Sequence, residues 1–251
     1  MKKRSIIFSV IRDAELVKGQ GTTNSVVFDT KATYDTASYG WTLTGWTLTD
    51  PEQKTQYVEK VGGDGSWDLS TSTTDGIPRY KDRTLTATLE CSEGTREDRT
   101  RLISDMVNLL DGFRWEIVLP DHPDHFLVGR VRVQVNQNSL AYAAVTLTAT
   151  CEPWLYYEHE TRGTPAIKSA TEWTIVRVYN NGRRVLSPTL IVEGTVRAAY
   201  YTNPTTGQAL AMTLTTGTHK PLGFLLHPGL NIMAFQGTGS VTVVYREAVL
   251  R

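Results

Sequence analysis

Apolar residues alternate with threonine along much of this chain, and that period of two is its strongest structural constraint. Thr84-Leu85-Thr86-Ala87-Thr88-Leu89-Glu90-Cys91 puts threonine on one side of an extended backbone and mostly apolar groups on the other. Val145-Thr146-Leu147-Thr148-Ala149-Thr150-Cys151 echoes it. We read the echo as shared strand patterning rather than duplication. Threonine is roughly one residue in seven, and its stiff β-branched side chain suits a half-buried pleated surface. Further strands are predicted over residues 5–10, 41–49, 114–119 and 126–136, the last forming a hairpin-like pair with 144–151. Gly45 marks a bulge or turn within its strand. Residues 121–125, Asp-His-Pro-Asp-His, read as a polar connection.

One segment breaks the rule. Residues 95–112 have helical period, with Leu102, Ile103, Met106, Val107, Leu109 and Leu110 on one face. Thr95 can cap the first turn with Asp98, and Gly112 can end the helix. Arg96, Arg99 and Arg101 are assigned to a polar face balanced by Glu93, Glu97 and Asp98. A single amphipathic helix among strands is expected to flank a sheet.

The composition shifts after Tyr157. Residues 158–171 are polar, contain Gly163 and Pro165, and read as a linker. A second β-rich unit follows, with strands predicted over 173–178, 188–193, 196–201, 209–215, 222–226, 229–236 and 240–246. Asn181-Gly182, Asn203-Pro204, Thr206-Gly207 and Pro228-Gly229 are its turn signals. Short strands at this spacing suggest a sandwich or jelly roll. The last strand, near 241–250, is assigned either to this unit or back onto the first.

The chemistry expected of an enzyme is sparse. The chain has 26 basic and 26 acidic residues and a formal net charge of zero, which argues against binding nucleic acid mainly by charge. No apolar run approaches the ~18 residues of a membrane span, so membrane insertion is not expected. Cys91 and Cys151 are too few for a disulfide framework, and both thiols are expected free, as small buried hydrophobes. No secretory signal is apparent in the sequence. Gly62-Gly63-Asp64-Gly65 lacks the lysine of a phosphate loop. No Gly-x-Ser-x-Gly elbow occurs. His122 and His125 lack a recognised metal spacing. Asp64, Asp68 and Asp75 do not form a calcium loop. No catalytic residue, metal or cofactor is therefore assigned. Trp173, Tyr200 and Tyr201 are candidate sugar-stacking residues, although aromatics also fill β cores.

One stretch has more specific content. Gly62-Gly63-Asp64-Gly65-Ser66-Trp67-Asp68-Leu69-Ser70 is followed by Asp75-Gly76-Ile77-Pro78-Arg79-Tyr80-Lys81-Asp82-Arg83. A Gly-Asp-Gly turn leading to Asp-Leu-Ser/Thr, then Gly-x-Pro-x-Tyr-x-x-Arg, resembles a pattern in tail proteins of long-tailed phages. Gly129-Arg130-Val131 with Cys151-x-Pro153-x-x-Tyr156, Asn180-Asn181-Gly182 with Ser187 to Gly194, Gly229-Leu230-Asn231, and Tyr245 to Leu250 resemble further pieces of the same family in the same order. The family is that of distal tail proteins, the baseplate hub of siphophages.

The resemblance implies a mainly β protein of two domains. Residues 1–158 would form a β-sandwich with one flanking helix, related to tail-tube subunits. Residues 159–251 would form a galectin-like β-sandwich. Six copies would close a ring around a DNA channel at the virion's tail tip. The ring would meet the tail-tube protein on one side and a tail-associated hub or fibre protein on the other, with receptor-binding proteins as further partners. Within this reading Asp64, Gly65, Trp67, Asp68, Tyr80 and Arg83 belong to a candidate assembly arm, because residues 50–83 are too long for a tight hairpin loop. Three alternatives remain open at this level: a carbohydrate-binding tail protein, a cell-wall hydrolase, and another tail component.

Overall fold

A computed structural model describes residues 5–9, 33–72, 76–167, 169–198 and 211–250. The chain divides into two compact units, Met1–Trp154 and Leu155–Arg251. It is mainly β, with one α-helix among the described residues.

The first unit is built on an antiparallel sheet. Its strands are β1 (Ile7–Ser9), β2 (Thr33–Asp35), β3 (Thr42–Leu48), β6 (Arg83–Cys91), β7 (Arg114–Leu119), β8 (His122–Asn138) and β9 (Ala143–Cys151). They are ordered β2-β1-β7-β8-β9-β6-β3. Between β3 and β6, β4 (Tyr57–Glu59) and β5 (Ser66–Asp68) form a separate two-stranded sheet. The threonine pattern works as expected in β6, where Leu85, Ala87, Leu89 and Cys91 are buried and Thr84 and Glu90 are exposed. Thr86 lies opposite Thr148 and Thr88 opposite Thr146, so the outer face is a grid of hydroxyls. The β3–β6 register shifts between Leu43 and Gly45, the bulge expected at that glycine.

Helix α1 (Arg96–Leu110) starts with a full capping box. The Asp98 amide donates to Thr95 Oγ1 at 3.2 Å, and the Thr95 amide donates to Asp98 Oδ2 at 3.0 Å. These Thr95 contacts hold the Asp98 carboxyl below its usual range. Ile103, Met106 and Leu110 are buried, whereas Leu102, Val107 and Leu109 are only partly so. Arg99 is not on the polar face: it is buried, and its guanidinium donates to the carbonyls of Gly94 (2.7 Å), Ser139 (3.0 Å) and Leu140 (2.8 Å). Bonding of a buried cation to several carbonyls offsets its desolvation. Residues 121–125 are also corrected. Leu119 pairs with His122, so β8 begins there and the connection is a tight turn. Pro123 is tolerated so near the strand's start.

The second unit contains β10 (Leu155–Tyr157), β11 (Thr161–Gly163), β12 (Ala166–Ile167), β13 (Thr174–Asn180), β14 (Thr189–Ala198), β15 (Met212–Leu214), β16 (Gly217–His219), β17 (Gly229–Tyr245) and β18 (Ala248–Val249). The expected linker is structured instead, because β11 and β12 pair with the last half of β17. β17 is one strand where two were predicted, and β14 likewise runs through the expected break. Three glycines explain this. Gly194, Gly237 and Gly239 have φ of +98°, +141° and +135°, and added Cβ atoms would lie 2.3, 2.4 and 1.9 Å from carbonyl oxygens of the opposite strand. Their lack of side chains lets the two strands stay paired where they bend. Residues 222–226 form no strand; Leu226 makes only an isolated bridge to Leu186. Leu190, Val192, Phe224, Met233, Phe235 and Val241 lie in the core of this unit. β18 pairs with β10, Leu155 opposite Val249 and Tyr156 opposite Ala248. Parts of the strands predicted at 5–10, 196–201 and 209–215, and the turns at Asn203-Pro204 and Thr206-Gly207, lie outside the described residues.

Candidate assembly interface

The segment between β3 and β6 is a long antiparallel ribbon. At its base, Thr49 and Thr84 are joined through backbone and hydroxyl, and the Arg83 Nε–H donates to the Thr49 carbonyl at 2.7 Å. Arg83 is buried there, so it belongs to the root. Next, the Lys81 amide donates to the Glu52 carbonyl and the Lys54 amide to the Arg79 carbonyl, both at 2.8 Å, around a Gln53–Tyr80 bridge. The Tyr80 ring meets Trp154 edge-on at 5.6 Å. Farther out, the Leu69 amide donates to the Gln56 carbonyl at 2.8 Å, and the Gln56 amide donates to Ser70 Oγ at 2.9 Å.

β4 and β5 continue the ribbon, pairing Tyr57 with Asp68, Val58 with Trp67 and Glu59 with Ser66. The tip turns through Gly62 and Gly65, whose φ of +74° and +77° disfavour any residue with a Cβ. Asp64 is exposed between them. Asp68 Oδ1 accepts from the Ser70 amide at 2.9 Å. The Ser70 hydroxyl and amide hold the Asp68 carboxyl below its usual range. This carboxylate is used to shape a turn, which leaves Asp64 and Asp68 in separate roles. Among the described residues no group of His, Cys, Asp and Glu side chains is arranged to hold a metal. Asp75 lies outside the described residues.

Every residue of β4 and β5 is exposed. Trp67 is 56% exposed, and Tyr57, Val58, Val61 and Leu69 are also large apolar residues facing solvent. A two-stranded ribbon is marginal by itself. Its apolar side chains are left in water on an element whose root is hydrogen-bonded.

The other candidates fare differently. Trp173 is exposed, but the Arg197 guanidinium lies 5.9 Å from its ring centroid, over one face. Tyr200 and Tyr201 lie outside the described residues. The His122 and His125 rings meet edge-on at 6.4 Å. Burial, and secondarily His122, lower the His125 pKa. Cys91 and Cys151 are both free and buried, and burial pushes the Cys151 thiol up to about 12.

No protein-family model matches the chain, and no curated protein sequence matches it. Solved structures do. The SPP1 Dit (gp 19.1) protein, described as a paradigm of the hub adsorption apparatus in phages infecting Gram-positive hosts, aligns with a TM-score of 0.60. The alignment covers 86% of this chain and 96% of that one at 18% identity. The two chains share a fold. Chains of the phage P2 baseplate in its activated conformation, with Ca and with Sr, align over 98% of this chain at 8% identity. Their TM-scores of 0.45 and 0.46 are too low to bear on the Dit fold.

Sequence reasoning singled out residues 50–83 without the strands Tyr57–Glu59 and Ser66–Asp68, and it missed an exposed apolar face in the second unit. Ile175, Tyr179, Leu230 and Ile232 all face solvent on β13 and β17. The signal was present: apolar residues occupy both parities of residues 173–179, so one parity had to face outward.

Proposed function

We propose that this chain is a structural subunit of a phage tail tip, which forms a ring at the distal end of the tail. The observation that carries the reading is the Dit fold, aligned over nearly the whole length of the SPP1 hub protein. Six copies close the ring around a channel for DNA. The ring joins the tail tube to the hub or fibre protein and to receptor-binding proteins, and it acts without catalysis.

The ribbon supplies what a ring subunit requires. A closed ring of identical subunits uses a heterologous interface, in which one surface of each copy meets a different surface of the next. The ribbon projects apolar side chains that its own unit leaves bare. Burying Trp67 and Tyr57 against a neighbour would release the water now held on them. Its root in β3 and β6, at one edge of the sheet, gives it a fixed direction.

Negative-stain imaging and light scattering of the purified protein, alone and with its tube and hub partners, test this reading. A six-fold ring is expected, and Trp67→Ala should weaken it while the monomer stays folded. A wild-type protein that stays monomeric under all these conditions would overturn it.

A further inference from the structure

The chain has a single Asn-Gly pair, Asn181-Gly182, in the connection between β13 and β14. Such a pair is chemically labile, because glycine leaves its backbone nitrogen unshielded and lets the backbone rotate toward the asparagine side chain. The nitrogen attacks the side-chain carbonyl carbon, a cyclic imide closes, and the Cγ–Nδ2 bond breaks. Ammonia leaves with the proton of the glycine N–H. Water then opens the imide at either carbonyl, giving aspartate or isoaspartate.

The packing explains why glycine stands here despite that lability. A Cβ on Gly182 would lie 2.4 Å from the Ala248 carbonyl oxygen, so β18 passes too close for a side chain. The same contacts restrain the reaction. The Gly182 N–H donates to Asn180 Oδ1 at 3.0 Å. Asn180 is itself buried, and its Nδ2 donates to the carbonyls of Arg184 (2.7 Å) and Leu226 (3.1 Å). Attack requires the Gly182 nitrogen to lose its proton and turn toward Asn181, and both changes break this arrangement. The side chain under attack is tied as well. The Asn181 amide and its Nδ2 both donate to Glu247 Oε1 at 3.1 Å. The Arg183 amide donates to the Ala248 carbonyl at 3.3 Å and closes the turn onto β18.

We propose that Asn181 is a conditional modification site. The closed turn withholds it from deamidation, and release of the turn from β18 exposes it to the reaction. Asn181 faces solvent, so water can reach the imide once it forms. The product holds the turn open. Deamidation replaces the donating Nδ2 with an oxygen and sets a second carboxylate beside Glu247, where like charges repel. Because ammonia is lost, the change runs one way and records that the turn has opened. The site lies within the second unit and does not rest on ring formation through the ribbon.

Peptide mapping that resolves Asn, Asp and isoAsp at position 181 tests this on the full chain at pH 8. Conversion in the native protein should be about tenfold slower, or more, than in the chain unfolded by guanidinium, since several hydrogen bonds must open first. Glu247→Ala should speed native conversion about fivefold, the scale of one modest hydrogen bond. Glu247→Gln keeps an acceptor and should stay near the wild-type rate, which separates loss of the bond from loss of the fold. Asn181→Asp, a copy of the product, should speed hydrogen exchange at the amides of Tyr157 and Arg183 about fivefold, and adding Glu247→Gln should restore their protection. Equal rates in native and unfolded protein, no conversion in guanidinium, or a native rate unmoved by Glu247→Ala would overturn the proposal. Unchanged exchange in Asn181→Asp would do the same for the claim that the product holds the turn open.

Discussion

Two tryptophans sit in short antiparallel strands of the first unit and have opposite fates. Trp115 on β7 is 2% exposed, and Trp67 on β5 is 56% exposed. β7 lies between β1 and β8, and its face is covered by the core. Among the described residues, β5 has β4 beside it and no layer on either face. The contrast separates two properties that alternation tends to merge. Strand formation requires only a partner for the backbone. Burial requires a second layer, and where the chain does not supply one, an apolar strand is left for another surface to cover.

Substitutions should break this pairing of like residues with unlike roles. The largest effect is expected for Trp115→Ala, which should cost about 4 kcal/mol of stability by removing a fully buried aromatic. Denaturant titration checks it, and a cost near zero would mean that the site is not a packed core. Next, stability should fall as pH rises above about 9, because the Cys151 thiol is raised from 9.0 to about 12 in the folded protein. The unfolded chain then loses its proton first and is favoured as pH climbs through that window. Correspondingly, iodoacetamide at pH 9 should label Cys151 only as fast as the first unit opens, and rapid labelling of native protein would contradict its burial. Thr95→Ala should cost about 1 kcal/mol through loss of the capping box, measured by the same denaturant titration. Trp67→Ala should change monomer stability by less than about 0.5 kcal/mol while reducing assembly in sedimentation velocity. A large loss of monomer stability would make Trp67 a core residue after all.

Much of the first unit was legible because its strands are half-buried. Arg114–Leu119 is the strand the pattern predicts, and α1 carries the cap that Thr95 and Asp98 announce. Arg99 was not legible. Its position suggests a polar face, and two of the carbonyls that offset its burial come from the β8–β9 loop, distant in sequence. In the second unit, the predicted strands break at 194–195 and 237–239, where the glycines fall. They instead preserve a continuous pairing of β14 with β17. The difference lies in the backbone of the opposing strand, which local composition does not describe.

The ribbon shows where the division falls. By itself the sequence determined that residues 62–65 must turn, since glycines tolerate φ values that side chains forbid. It also determined that β6 and β9 have one apolar and one hydroxyl face, since side chains alternate strictly along a strand. Tertiary structure alone decided that Trp67 stays in solvent and that Arg83 is buried at the ribbon's root. Exposure depends on which distant segments pack nearby, and that is fixed only when the whole chain has competed for the same buried volume.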